Sequence, residues 1–407
     1  MLSRRVFIKS GAAAMVTVGF APSFLARAAA AAGSRKKLLI AIFQRGAVDG
    51  LNMVVPHGEA EYYRVRPTIA IAKPGSADGA IDLDGFFGLH PRMAPFKPLW
   101  DRGDLAIVHA TGSEDTTRSH FDAQDYMESA TPGIKSTHDG WLNRYLAASG
   151  LMDRNPLRGV ALTSQMPRSL QGPAPALAMG SASAFTVADM SARTSFEELY
   201  QAAKDQTLNG TAGEAFDAMK MLAKKTSSSY RPANNAEYPR TPFGQALQQI
   251  ARLAKSDVGL EVAFAESTQW DHHVNEGSSQ GQIANRLDDF SRGIAALAQD
   301  LGEQMADTVI LTMSEFGRAV AENGSRGTDH GHGNAMFVIG GGVKGRHVYG
   351  KWPGLRADER FEGRDLAVTT DFRVVFDEIL GKHLAARPDA LAKVFPGFSS
   401  HTDLKLF

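Results

Sequence analysis

The stretch whose reading decides the fold is residues 308–342, TVILTMSEFGRAVAENGSRGTDHGHGNAMFVIGGG. An apolar run, TVILTM, stops at Ser314 and Glu315. A glycine-rich loop then carries Asp329, His330 and His332 before a second apolar run, AMFVIGG. Short apolar runs bounded by turn residues read as strands buried on both faces, which is the mark of a parallel sheet covered by helices. In such sheets ligands bind beyond the carboxyl ends of the strands. The expectation is an α/β fold with a mostly parallel central sheet, helices on both faces and polar chemistry at the strand ends.

Working outward, residues 260–265 (LEVAFA) form another strand that runs into Asp271, His272 and His273, and an amphipathic helix over 281–301 leads back into TVILTM. Asp271 and His273 are two apart, so an extended segment puts both on one face, where they suit a shared metal. Residues 37–43 (KLLIAIF) read as the first strand, with Asp49 just beyond it; an Asp-Gly turn explains Asp49 equally well. Residues 104–110 (DLAIVHA) read as the second strand, followed by Arg118, Ser119 and a helix through 127. Ser119 with Asp122 has capping-box spacing. The same geometry places a hydroxyl where an oxyanion binds, with Arg118 at hand. Glu315 reads either as a ligand or as a strand-end carboxylate paired with Arg318. The loop at 328–334 is too glycine-rich to bury its histidines in a core.

The remaining segments carry less chemistry. A short helix is expected within 136–150, and two short strands over 157–163 and 176–180. Residues 195–256 read as helical, with helices at 195–206, 213–226 and 241–256, forming an insertion or cap; the polar linker at 227–242 is expected to be its most flexible part. Thr370 caps a last helix.

Composition narrows the function. The 407 residues carry 44 basic and 44 acidic side chains, so no basic field exists to hold nucleic acid. Cysteine is absent, which excludes disulfides, thiolate metal sites and a cysteine nucleophile; any metal must be held by His and carboxylates. At the N-terminus, SRRVFIK (3–9) is a twin-arginine motif, followed by a modest apolar stretch and a small-residue cleavage region around Ala26-Arg27-Ala28. Residues 1–32 are therefore expected to be a signal peptide. The mature chain, 33–407, is expected to be exported folded by the twin-arginine translocase, to work in the periplasm or outside the cell, and to keep no membrane span.

Asp49, Ser119, Asp271 with His273, and Glu315 each follow a strand, and the late loop adds Asp329, His330 and His332. RGAVDGLN (45–52), TRSHFDAQDYMES (117–129), WDHH (270–273), SEFGR (314–318), TDHGHGN (328–334) and TTDFR (369–373) resemble an exported bacterial family of unknown function. That family resembles a distant branch of the alkaline phosphatase and sulfatase superfamily. The resemblance implies an alkaline-phosphatase-like fold, with Asp49 as a metal-bridging aspartate and Ser119 as nucleophile. It also implies one metal site from Asp271, His273 and either His330 or His332. Relatives carry an Asp-His pair where this chain has Glu315-Phe316, so one metal site is weakened or Asp329 supplies a ligand. The expected function is metal-dependent hydrolysis of an anionic ester, a phosphoester first, with zinc or manganese. The alternative is a non-catalytic exported binding or assembly protein that keeps the fold. A formylglycine sulfatase lacks its motif, and a serine hydrolase lacks its G-x-S-x-G elbow.

Overall fold

A computed structural model describes residues 37–149, 155–180, 230–399 and 402–407. The signal peptide and the helices expected at 195–206 and 213–226 lie outside the described residues. The strands are β1 (Leu38–Gln44), β2 (Val54–Val55), β3 (Ile81–Asp82), β4 (Gly88–Leu89), β5 (Leu105–Gly112), β6 (Gly159–Ala161), β7 (Leu177–Ala178), β8 (Val262–Ser267), β9 (Thr308–Met313), β10 (Asn334–Gly340), β11 (His347–Tyr349) and β12 (Thr370–Asp371). Nine of them form one sheet in the order β11-β5-β10-β9-β1-β8-β6-β7, with β12 beside β5; β2, β4 and β3 form a small separate sheet.

The central sheet is mostly parallel. β1 pairs in parallel with β8 and with β9, so that Ile40 lies between Ala263 and Ile310. β10 departs from the rest: it pairs antiparallel with both β9 and β5. The expected mostly parallel sheet is found, and β10 is its antiparallel member, because the second apolar run returns directly from the loop and no crossover helix intervenes. The departure has a useful result. The loop from 314 to 333 leaves the carboxyl end of β9 and enters the amino end of β10, so both of its ends sit on the edge where β1, β5 and β8 finish.

Successive residues of the strands face opposite layers. Ile40, Ile42, Ile310, Phe337 and Ile339 pack with Phe290, Ile294 and Leu297. Leu39, Phe43, Val309, Leu311 and Val338 pack with Trp141, Leu142 and Phe376 on the other side. The helices that supply these layers include α1 (Gly50–Met53), α2 (His120–Ser129), α3 (Trp141–Ala148), α4 (Pro242–Lys255), α5 (Gln282–Leu301), α6 (Phe372–Glu378) and α7 (Pro388–Val394). In α5 the buried Ile283, Leu287, Phe290, Ile294, Leu297 and Leu301 recur at three- and four-residue steps, which makes one apolar stripe. The described part of 195–256 packs in this layer: the Phe243 ring of α4 stacks on Phe290 with centroids 5.7 Å apart.

Two local expectations are corrected. The polar linker is pinned from residue 230 onward, because Asp300 accepts from Tyr230 Oη (2.8 Å), Tyr238 Oη (2.8 Å) and the Ala233 amide (2.7 Å). The helix α6 is capped by Asp371, whose carboxylate accepts from the Arg373 amide, and Thr370 belongs to β12; α7 then follows, so α6 is not the last helix. Among the described residues no helix is long and apolar enough to cross a membrane.

Ile310 sits at the crossing of three strands, paired with Ile40 and Ile339 and fully buried. Ile310→Ala should lower stability by about 2–5 kcal/mol, read as a reduced urea midpoint at unchanged m-value.

Candidate metal centre

The loops leaving β1, β8 and β9 are tied together by one guanidinium. Arg318 is buried, and its Nε donates to Ala47 O (2.7 Å), its Nη1 to Thr328 O (3.1 Å), and its Nη2 to Gly46 O (2.7 Å), Trp270 O (3.2 Å) and Asp271 Oδ1 (2.5 Å). SEFGR and TDHGH run antiparallel beside it, with Gly331 N donating to Gly317 O (2.8 Å) and Ala319 N to Asp329 O (2.9 Å). A side chain does not fit at position 331, where a Cβ would stand 2.3 Å from the Arg318 carbonyl carbon. This pairing sets the position of His330.

Three imidazoles and one carboxylate meet there. Asp271 Oδ1 lies 3.0 Å from His273 Nε2, 3.4 Å from His330 Nε2 and 3.6 Å from His120 Nε2, and the Nε2 atoms of His273 and His330 are 3.0 Å apart. His120, Asp271 and His330 form a group able to hold a metal ion. Each ring is turned by its outer nitrogen. His330 Nδ1 donates to Arg118 O (2.9 Å), His120 Nδ1 to Glu315 Oε1 (2.8 Å), and His273 Nδ1 faces Asp329 Oδ1 at 3.5 Å. With the proton on Nδ1, every Nε2 presents a lone pair to the centre. His120 Nε2 is buried without a hydrogen-bond partner, and in these tautomers the Nε2 atoms of His273 and His330, 3.0 Å apart, would meet lone pair to lone pair where one of them must otherwise carry the proton of a hydrogen bond. A cation resolves both problems. Ligands about 2.0–2.1 Å from a tetrahedral ion stand roughly 3.3 Å from one another; the distances from Asp271 Oδ1 to the three Nε2 atoms, 3.0–3.6 Å, are close to this, and His120, Asp271 and His330 are the three whose donor atoms all lie within 4.8 Å of one another.

The charges support this reading. Burial works against ionisation of Asp271, but Arg318, then His273 and His120, outweigh it and hold the carboxyl below its ordinary value. Burial also opposes the charge on Glu315, yet hydrogen bonds from His120, Gln124 and the Gly46 amide bring it below the usual range. The hydrogen bond to Glu315 raises His120, whereas burial lowers His330.

The structure gathers some predicted residues and disperses others. Asp271, His273 and His330 are together, and Asp329 stands behind His273. Glu315 is buried behind His120 and pairs with it, not with Arg318 as one reading of the sequence had it. His332 is only 6% exposed and stacks on Phe361, so the glycine-rich loop does bury one histidine. Asp49 is fully engaged elsewhere: it caps α1 and forms a buried bidentate pair with Arg66. Arg118 is held by Asp365 (2.6 Å) and Glu362 (2.6 Å) and is not free for an anion. Ser119 occupies the N-cap of α2, but its hydroxyl makes no capping bond, which departs from a capping box. It lies between Arg118, whose carbonyl orients His330, and His120. Sequence reasoning missed His120 and Arg66; the signals were a histidine directly after the candidate serine and an arginine in the Tyr62-Tyr63 segment.

A family model described as "Protein of unknown function (DUF1501)" matches residues 36–386. The chain belongs to the DUF1501 family. A search of curated proteins found no match. Among solved structures, this DUF1501 chain is similar to the C-terminal periplasmic domain of EcEptC from Escherichia coli in complex with Zn. The identity is 9% and the TM-score 0.35, over 76% of this chain and 74% of that one. It is also similar to the lipoteichoic acid synthase LtaP from Listeria monocytogenes, at 8% identity and TM-score 0.34, over 78% and 69% of the two chains.

Two predictions follow from these contacts. In Arg318→Lys, one ammonium with three donors cannot serve four carbonyls and Asp271, so unfolding should shift down by about 3 kcal/mol or more, measured by urea titration. The second concerns Glu276, which is fully buried. Its Oε2 accepts from Thr328 Oγ1 (2.8 Å), its Oε1 meets no donor, and burial, then Asp49 beside it, hold its carboxyl well above the ordinary value of 4.5. The folded state keeps a proton that the unfolded chain releases, so this group's contribution to stability falls as pH rises above 4.5 towards the folded-state value. Glu276→Gln removes that loss, and its stability relative to the parent should rise between about pH 5 and pH 8 in parallel denaturation series.

Proposed function

We propose that the protein is an exported hydrolase of an anionic ester, a phosphoester first, built around one divalent metal held by His120, Asp271, His273 and His330. The observation that carries the reading is the gathering of three imidazole Nε2 atoms within 3.0–3.6 Å of Asp271 Oδ1, with His120, Asp271 and His330 as the compact core of the group. Three imidazoles and a carboxylate suit zinc better than manganese, which prefers more oxygen ligands. When bound, the ion supplies positive charge for an ester oxygen and for water activation. The chain's own residues supply the rest. Ser119, half-buried at the N-cap of α2, is the proposed nucleophile, and the first-turn amides and dipole of that ten-residue helix favour negative charge beside it. Arg318 and Glu315 fix Asp271 and His120, and Asp329 backs His273.

The superfamily resemblance supports this assignment at one metal site and not at two. The residues it would use for a second, Asp49 and Glu315, are committed to Arg66 and His120. That same commitment favours the second reading, an exported binding or assembly protein that keeps one structural metal. Export itself rests on the twin-arginine motif at residues 3–9.

Mass spectrometry of the purified mature protein should find one equivalent of zinc, reduced at least tenfold in Asp271→Ala/His330→Ala. Ser119→Ala should keep the metal and lose p-nitrophenyl phosphate turnover by 100-fold or more, on the scale of removing a nucleophile. A metal-free wild type would sink the centre. Full metal with turnover indifferent to Ser119 would sink the nucleophile, and full metal with no turnover on any phosphoester would leave the binding reading.

A further inference from the structure

Beside the centre lies an open cavity of about 450 Å³, lined by Gln269, Asp271, His272, Gln282, Asn285 and Arg286. Asp271 belongs to both, so the cavity and the metal centre share a wall. The opposite wall is the first turn and a half of α5, which brings Gln282, Asn285 and Arg286 to face the loop after β8. The lining is polar throughout. Three amide side chains and one guanidinium offer donors, and the carboxylate in it, Asp271, is already bound by Arg318 and His273.

Two further features mark the cavity as built for a ligand. Arg286 makes its hydrogen bond to a neutral partner, Gln269, and among the described residues it forms no ion pair, its charge acting at longer range on Asp289 one turn along α5. His272, 6% exposed, lines the cavity and its Nδ1 has no hydrogen-bond partner. A buried polar atom left unpaired opposes folding, and a polar ligand group in the cavity would satisfy it.

We infer that this cavity is a second anion subsite: it takes a carboxylate or similar negative group on the non-reacting part of a substrate, with Arg286 as the residue that selects it. The inference rests on the hydrolase reading for the placement of the ester at the metal, and it adds a substrate class, small polar esters that carry a second negative charge. Guanidinium recognition of a carboxylate is two-pronged and charge-assisted, whereas a single ammonium on a flexible stem recognises it less well.

The test uses zinc-loaded protein carrying Ser119→Ala, so that ligands bind without turning over, and isothermal titration calorimetry with two probes. These are 3-phosphoglycerate and glycerol 3-phosphate, which share the phosphoester and differ in a carboxylate. The subsite requires 3-phosphoglycerate to bind at least tenfold tighter. Adding Arg286→Gln should bring the ratio of affinities close to one, and Arg286→Lys should restore part of it. Equal affinity for the two probes, or a preference that survives Arg286→Gln, or binding of neither, overturns the inference. The hydrolase reading is tested separately by p-nitrophenyl phosphate turnover in protein with Ser119 intact. No turnover with the affinity ratio present sinks hydrolysis and leaves the subsite, while turnover without the ratio sinks the subsite alone.

Discussion

The structure of the sheet edge that carries the candidate metal centre depends on the buried Arg318 guanidinium. Loops at strand ends carry backbone carbonyls that water cannot reach once the loops pack together, and each unpaired carbonyl opposes folding. Arg318 serves the carbonyls of Gly46, Ala47, Trp270 and Thr328 from a single rigid fork, and so joins the segments after β1, β8 and β9. Its own charge would be prohibitive in that position without a counter-ion, and Asp271 supplies it. The same Oδ1 faces the three imidazoles. Structural necessity and the proposed chemistry therefore meet at one oxygen atom: the carboxylate that neutralises the scaffold is the one that anchors the ligand cluster.

The division of labour among the acidic residues is the reason one centre, and not two, is proposed. Asp49 and Glu315 both stand at strand ends, where their position alone suggests ligands. Arg66 claims the first, and its bidentate contact leaves the carboxylate satisfied in a dry environment. His120, Gln124 and the Gly46 amide claim the second. Glu315 in turn fixes the tautomer of His120, so a residue that resembles a ligand in sequence acts one step behind the ligands. Such outer partners tune a metal site nearly as strongly as the ligands do.

Much of this was legible in the sequence, and the rest was hidden for identifiable reasons. The apolar runs gave β1, β5, β8 and β9 to within two residues, because strands buried on both faces have no polar interruptions to blur them. The direction of β10 was not visible, since an apolar run looks the same in either direction. Asp271, His273 and His330 could be singled out from spacing and loop composition. His120 could not, because its role is created by Glu315, which is 195 positions away in the chain. For the same reason the pairing of Asp49 with Arg66 was not visible. Arg66 lies beyond a turn and a short helix, and nothing in local pattern announces that their side chains meet. The burial of His332 was missed because Phe361, which covers it, comes from a distant loop.

The proposed ligands are scattered along the chain, and that scatter bears on the order of assembly. The hydrogen bond that aims His330 spans 212 residues, from Arg118 to a loop near the end of the sheet. Contacts of such long range close late, after the strands between them have paired. Asp271 and His273 are neighbours and His330 lies in the same part of the chain, whereas His120 must be brought to them from its first half; small zinc domains instead take all their ligands from residues close in sequence. The chain must be nearly complete and correctly threaded before the four donors come together. Possession of the ion would then report that folding has finished, a molecular proof of completion carried by the product itself.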